Sequence, residues 1–316
     1  MLETIGLFLL GLILLALGGD SIIKGAAGLA RRFGASPFAT GLLLVAFGTS
    51  LPELAVNARA LFAGQPALAL GNAVGSNIAN IGLTLGAAAL AAPLLVRWRA
   101  LSPLLLVLLL ATVAMIVLGL DGVLSRLDGA ILLAAFVAVL VFALMRAHRE
   151  QAEVRAEIDA FAATQTGLAL NLVRVAIAIA LLYFGAHWMV QSAPALGLAL
   201  GMEPLLTGLL PVAIGTALPE AAAAIAAARR GQGDLVAGHV IGSSLFNLLV
   251  VLGGMASLGE VAMPASFVRF ELPAALAFAL LLVPVLRGDL RVSRGEGAVL
   301  LLALLMWIAF EILLTR

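Results

Sequence analysis

Cysteine is missing from the 316-residue sequence, and charge is scarce. Without cysteine there is no disulfide, no thiolate-bound metal and no cysteine nucleophile. Asp, Glu, Lys and Arg make up 11% of the residues, against roughly a quarter in a soluble domain. A water-facing globular fold is therefore excluded. A net charge of +1 gives no reason to expect a nucleic-acid partner. HExxH, GxSxG and DDxxD-like clusters do not occur. The usual signatures of an intramembrane protease or lipid-modifying transferase are thus absent, and no catalytic residue is predicted. The N-terminal stretch MLETIGLFLLGLILLALGG lacks a basic n-region and a cleavage site. It reads as a first spanning helix rather than a signal peptide.

What the chain does have is apolar length. Hydrophobic residues account for 63%, and the mean hydropathy is +1.18. A membrane-spanning helix needs about 20 mostly apolar residues. Cutting at charged and Pro/Gly-rich stretches gives ten spans, at approximately 4–30, 37–62, 67–92, 101–120, 127–146, 167–199, 204–228, 235–258, 267–286 and 297–314. The polar run HREQAEVRAEID is the core of the one extended soluble segment and predicts a short helical linker with a solvated face. The expected class is an all-α membrane protein of ten transmembrane helices. Residues 1–146 form a first five-helix repeat, 147–166 a cytoplasmic linker and 167–316 a second repeat. Five is odd, so the second repeat enters the bilayer inverted, with a site near the midplane where the halves meet. If the N-terminus is outside, Arg31, Arg32, Arg97, Arg99, Arg146, Arg149, Arg155, Arg229, Arg230, Arg287, Arg291 and Arg294 lie on the cytoplasmic side. Only Arg59, Arg126 and Arg316 lie outside. This asymmetry predicts a multi-pass protein of the cell (inner) membrane with both termini outside.

The two halves carry one device twice. Residues 37–66 and 204–233 are identical at 16 of 30 positions. LLLVAFGTSLPELAV places Glu53 in an apolar helix, and LLPVAIGTALPEAAA places Glu220 in another, 167 residues later. An ionisable group at membrane depth costs roughly 2.5–3.5 kcal/mol even on lenient insertion scales, so a duplicated pair points to carriage of a cation. Thr49 and Glu53 share a helix face, with Ser50 beside them. Pro52 offers no N–H to the Gly48 carbonyl, freeing backbone oxygens near Ala46 to Gly48 to turn towards a cation. Gly215, Thr216, Pro219 and Glu220 repeat the pattern. GNAVGSNIAN adds Ser76 and Asn80, and GHVIGSSLFN adds Ser243 and Asn247, again 167 apart. Gly71 and Gly75, like Gly238 and Gly242, have a spacing that admits a close neighbouring helix. An all-oxygen donor set suits Ca²⁺ and Na⁺ rather than Zn²⁺ or Cu. Two ionised glutamates match one Ca²⁺ or about two Na⁺, which favours exchange over leak. Outside this set, Asp20 and Lys24 read as a local ion pair near the cytoplasmic face. Their counterparts His187 and Gln191 read as interface or packing residues. His239, where the first half has Asn72, reads as a neighbour of the site. Trp98, Trp188 and Trp307 read as interface anchors or packing.

The paired motifs GTSLPE…GNAVGSNIAN and GTALPE…GHVIGSSLFN resemble the two α-repeats of the cation/calcium antiporter superfamily, and most nearly the prokaryotic sodium/calcium exchangers. The resemblance covers nearly the whole chain. It implies a secondary transporter, not an enzyme, with no cofactor, Ca²⁺ and Na⁺ as transported ions, the lipid bilayer as surroundings and no obligate protein partner. Carried across by position, it implies cation ligands at Ala46 (carbonyl), Thr49, Ser50, Glu53, Ser76 and Asn80. In the second half they fall at Ala213 (carbonyl), Thr216, Glu220, Ser243 and Asn247, with the glutamates shared by both ions. It also implies that the first and sixth helices slide across the other eight to alternate access. Ala217 stands where the family pattern has a serine, which removes one hydroxyl. Asn247 stands where K⁺-moving relatives carry Asp, and so argues against K⁺ dependence. H⁺/Ca²⁺ exchange, or K⁺-dependent Na⁺/Ca²⁺ exchange, on the same scaffold is the alternative transport reading, and a non-transporting membrane scaffold is a third.

Overall fold

The computed structural model describes residues 1–32, 48–147, 167–287 and 291–314. Ala46, the first part of the second span and the expected linker helix lie outside the described residues. The helices are α1 (Leu2–Arg32), α2 (Leu51–Phe62), α3 (Pro66–Ala91), α4 (Trp98–Leu118) and α5 (Arg126–Ala147). The second half supplies α6 (Leu168–Ala199), α7 (Pro204–Arg229), α8 (Gly233–Leu258), α9 (Phe267–Arg287) and α10 (Arg294–Leu314). Among the described residues nine of these are long and apolar enough to cross a bilayer. The other is α2, whose described part begins after a 3₁₀ turn at Gly48–Ser50. The ten expected spans thus match nine full crossings and one partly described helix.

Burial separates centre from rim. The α3 and α8 spans are each 83% buried, whereas those of α5 and α6 are 17% and 22% buried, so the first pair forms the axis of the molecule. The rim helices present large apolar side chains outwards, among them Leu106, Leu110 and Val117 on α4 and Ile177 and Ile179 on α6. In water such a surface would associate, whereas in a bilayer it meets acyl chains.

Two short ribbons reveal how the halves sit. β1 (Leu94–Leu95, between α3 and α4) pairs antiparallel with β4 (Arg291–Val292, between α9 and α10). β2 (Val123–Leu124, between α4 and α5) pairs with β3 (Val261–Ala262, between α8 and α9). Within the duplication β1 corresponds to β3, and β2 corresponds to β4. Each ribbon therefore joins non-equivalent loops, which share one end of the molecule only if the second half is upside down. The β1–β4 end is also closed by Asp234 at the start of α8. It accepts the Arg97 backbone N–H at 2.7 Å and lies 3.5 Å from Arg97 Nε.

Glycines set the close approaches. Gly64 and Gly231, 167 apart, have φ of 70° and 78°. The following N–H groups of Gln65 and Gln232 reach back to the carbonyls of Ala60 and Ala227 at 2.9 and 3.1 Å. These are paired left-handed caps that fold α2 onto α3 and α7 onto α8. A Cβ on Gly71 or Gly75 would overlap the carbonyls of Leu205 or Leu209, and one on Gly208 would overlap that of Leu68. The expected small-residue seam therefore joins α3 to α7 across the two halves. Near Gly238 the approach is looser, with Leu101 at 3.9 Å. Trp307 is packing rather than an interface anchor: it is 8% exposed and meets Phe278 edge-on.

Candidate functional site

Each of the four duplicated segments is helical but locally distorted. Before α2 the chain makes the 3₁₀ turn Gly48–Ser50, and the α-helix starts at Leu51 with Pro52 in its first turn. Pro costs little there, because that N–H has no intrahelical partner anyway. Ser50 stands at the N-cap position with no side-chain capping bond. Its hydroxyl crosses to the other half and meets Ser243 Oγ at 2.6 Å.

The second half loosens differently from expectation. Around Pro219 the helix stays α-helical from Ala213 to Arg229, and the distortion lies one turn earlier, as a π-turn at Gly208–Val212. Pro211 sits inside that turn and lacks an N–H for the preceding carbonyl, and the wider ring accommodates the gap. The first half has Leu44 at the equivalent position, so Pro211 is a proline that the first repeat lacks.

In α3 and α8 the motifs end on matching π-turns, Asn80–Leu85 and Asn247–Leu252, offset by the same 167 residues. Such bulges recur at functional sites because they turn side chains and carbonyls out of helical register. Both begin at an asparagine singled out by the duplication.

These elements bring together Ser50, Ser243 and Asn80, whose Nδ2 donates to Ser243 Oγ at 3.0 Å. Thr84 Oγ1 approaches Asn80 Oδ1 at 3.5 Å, and Ser76 Oγ approaches Asn72 Oδ1 at the same distance. Thr216 Oγ1 turns back to the Ala213 carbonyl at 3.1 Å. Glu53 is completely buried and Glu220 is 8% exposed. The Glu220 charge acts on Glu53, and the Thr216 hydroxyl lies alongside. His239 Nδ1 is 2.9 Å from Thr49 Oγ1, and its Nε2 is 3.5 Å from Glu220 Oε2. It therefore touches two of the sequence-selected residues directly. Asn247 donates to Asn77 Oδ1 at 3.1 Å, and Asn77 donates to the Ser244 carbonyl at 3.2 Å. Asn77 was not anticipated: its counterpart is Ser244, so the duplication alone does not mark it. Buried Glu271 and Glu311, on α9 and α10, were also missed, and their counterparts in the first half are apolar.

Among the described residues, five buried oxygens here, Glu53 Oε1 and Oε2, Glu220 Oε1 and Oε2 and Asn247 Oδ1, accept no hydrogen bond. Buried acceptors are ordinarily satisfied, so a group of them with converging negative charge is built for something positive. Among the described residues no three Asp, Glu or His side chains are placed so that they alone could hold a metal ion. The polar groups around the two carboxylates are hydroxyls, amides and His239. Two cavities reach the cluster from the β1–β4 end. One, of about 160 Å³, passes Thr49, Glu220, His239 and Arg230. The other, of about 290 Å³, runs between α1, α2 and α7 and touches Thr49, Thr216 and Glu220.

Known proteins are similar to this chain in sequence and in fold. Residues 3–145 and 170–313 each match the family described as sodium/calcium exchanger protein. The inner membrane protein YrbG of Escherichia coli is 37% identical, covering 98% of this chain and 97% of its own. The sodium/calcium exchanger MaX1 of Methanosarcina acetivorans is 29% identical, with 98% and 97% covered. Among solved structures, the sodium-calcium exchanger NCX_Mj soaked with Na⁺ and Sr²⁺ superposes with a TM-score of 0.69 at 32% identity, over 98% of both chains. With both halves matched and nearly the full length aligned, the chain belongs to the sodium/calcium exchanger family.

Proposed function

We propose that this chain exchanges Na⁺ for Ca²⁺ across the cell (inner) membrane by alternating access, with Glu53 and Glu220 as ligands shared by both ions. The observation that carries the reading is the pair of duplicated, buried carboxylates whose four oxygens accept no hydrogen bond from the described residues. Two negative charges left bare in a low-dielectric interior are costly, and one Ca²⁺ or two Na⁺ would cancel them. Thr49, Ser50, Ser76, Asn80, Thr216, Ser243 and Asn247, with the carbonyls of Ala46 and Ala213, complete an oxygen cage suited to hard cations. Ala217 contributes no hydroxyl, so the second half offers one donor fewer beside Glu220. Residues 1–146 and 167–316 act as the two inverted units, with 147–166 as a cytoplasmic link. Arginine placement supports termini outside, which puts the β1–β4 end in the cytoplasm.

Everted membrane vesicles test the proposal. Ca²⁺ uptake driven by a Na⁺ gradient and indifferent to a protonophore is the expected result. Uptake that needs a pH gradient and ignores Na⁺ would replace it with H⁺/Ca²⁺ exchange.

A further inference from the structure

The larger cavity has a charged mouth. Its lining runs from Thr49 and Glu220 outwards to Asp20 and Lys24 on α1, with apolar walls such as Leu15 and Ile23 between. Lys24 Nζ lies 2.6 Å from Asp20 Oδ2, and the two side chains are 52% and 59% exposed. An exposed pair four residues apart on a helix is held weakly and is easily opened by water or ions. Its charges still matter to a passing ion, because low-dielectric walls focus the field along a cleft. The stretch of α1 that carries the pair bears on the site itself. A Cβ on Gly19 would come within 3.1 Å of Pro52 Cγ, and one on Gly215 within 2.9 Å of Leu12 Cδ2.

The duplication supplies a built-in comparison. At the positions equivalent to Asp20 and Lys24, α6 has His187 and Gln191. There Arg59 Nε approaches His187 Nδ1 at 3.3 Å, so no carboxylate stands at the equivalent place. The two ends of the molecule are related by the repeat in backbone but not in charge.

Given the exchange reading above, we propose that Asp20 and Lys24 form a one-sided electrostatic gate for cations approaching from the β1–β4 end. The arriving ion displaces the Lys24 ammonium from the Asp20 carboxylate, passes along the cavity and is handed to Glu220. Lys24 sets the barrier, and Asp20 cancels it. A unit charge about 8 Å from the path in a water-like medium changes the occupancy of a monovalent ion about twofold, and that of a divalent ion by the square, about fourfold.

The test uses the full-length protein in vesicles of both orientations, with initial exchange rates measured against Ca²⁺ or Na⁺ on each side. From the β1–β4 side, Asp20→Asn raises KM about fourfold for Ca²⁺ and about twofold for Na⁺. Lys24→Gln lowers both by similar factors, and the double variant falls between the singles. The shifts shrink as an inert salt is added, and KM from the opposite side stays at the wild-type value. Single variants that shift KM in the same direction, or shift it equally from both sides, or do so regardless of salt, overturn the gate. Wild-type exchange with unchanged single variants also overturns it while leaving the exchange reading intact. Absence of exchange in the wild-type protein sinks that reading instead.

Discussion

Glu53 and Glu220 occupy the same place in two copies of one motif, yet their surroundings differ. Glu53 is sealed off completely, whereas Glu220 has His239 Nε2 at 3.5 Å and forms part of both cavity walls. If both are ligands, removing either charge leaves a half-neutralised cation in the interior, a loss of roughly 2–5 kcal/mol for a buried charge pair. Glu53→Gln and Glu220→Gln are therefore each expected to weaken Ca²⁺ binding at least about 30-fold and to reduce exchange to background. Both variants keep the wild-type elution profile in detergent, since the amide is isosteric, but lose the Ca²⁺-dependent rise in Tm that a native-state ligand confers. Unchanged flux in both would remove the carboxylates from the site. At this scale the repeat marked Asn80 and Ser243, which meet across the halves, while Ser50, whose counterpart is Ala217, was legible only from its place beside Thr49. Asn77 shows where that reading stops. It holds the Asn247 amide, and Asn247 Oδ1 accepts no hydrogen bond among the described residues, but a residue that is Asn in one half and Ser in the other carries no repeat signal.

Among the elements, α1 and α6 behave as a matched antiparallel pair. Moving along α1 through Gly11, Gly18 and Gly25, the contacts on α6 run backwards through Gly185, Leu182 and Val175. The seven-residue spacing of these glycines keeps one smooth strip facing its partner. A Cβ on Gly11 would lie 2.9 Å from the Gly185 carbonyl oxygen and 3.0 Å from the Met189 nitrogen, both backbone atoms that cannot rotate aside. Gly6, one and a half turns earlier, has nothing within 4 Å. The same substitution should therefore have different consequences on one helix. Gly11→Ala is expected to separate the pair, costing about 1–3 kcal/mol as overpacking does, with a lower Tm and slower exchange. Gly6→Ala should leave both within error. Equal behaviour of the two variants, read by thermal unfolding and by flux, would refute the close contact. Helix existence was legible from hydropathy alone, and most boundaries fell within a few residues. The π-turns were not. A bulge that inserts one residue into a helix changes neither hydropathy nor length enough to show, although Pro211 in the turn Gly208–Val212 was a usable sign.

On the scale of the whole molecule, the crossed pairing of the ribbons ties the inverted halves together at both ends. β1–β4 and β2–β3 each connect a loop of one half with a loop of the other. Both hold the body formed around α3 and α8, leaving the α1–α6 pair as the part free to slide if access alternates as proposed. Because the chain has no cysteine, introduced pairs report on this cleanly. Leu95 and Arg291 are register partners on the exposed β1–β4 ribbon. Antiparallel partners lie about 4.5–5.5 Å apart between Cα atoms, within disulfide range. Leu95→Cys with Arg291→Cys is expected to cross-link readily and to exchange ions at the wild-type rate, because the bond lies within the static body. Leu12→Cys with Gly215→Cys joins α1 to α7, where the two now touch. Oxidation of that pair should stop exchange, and a reductant should restore it. Full-rate exchange by the oxidised Leu12–Gly215 pair would mean that α1 does not move past α7. Arrest by the ribbon cross-link would place the moving boundary between the halves instead.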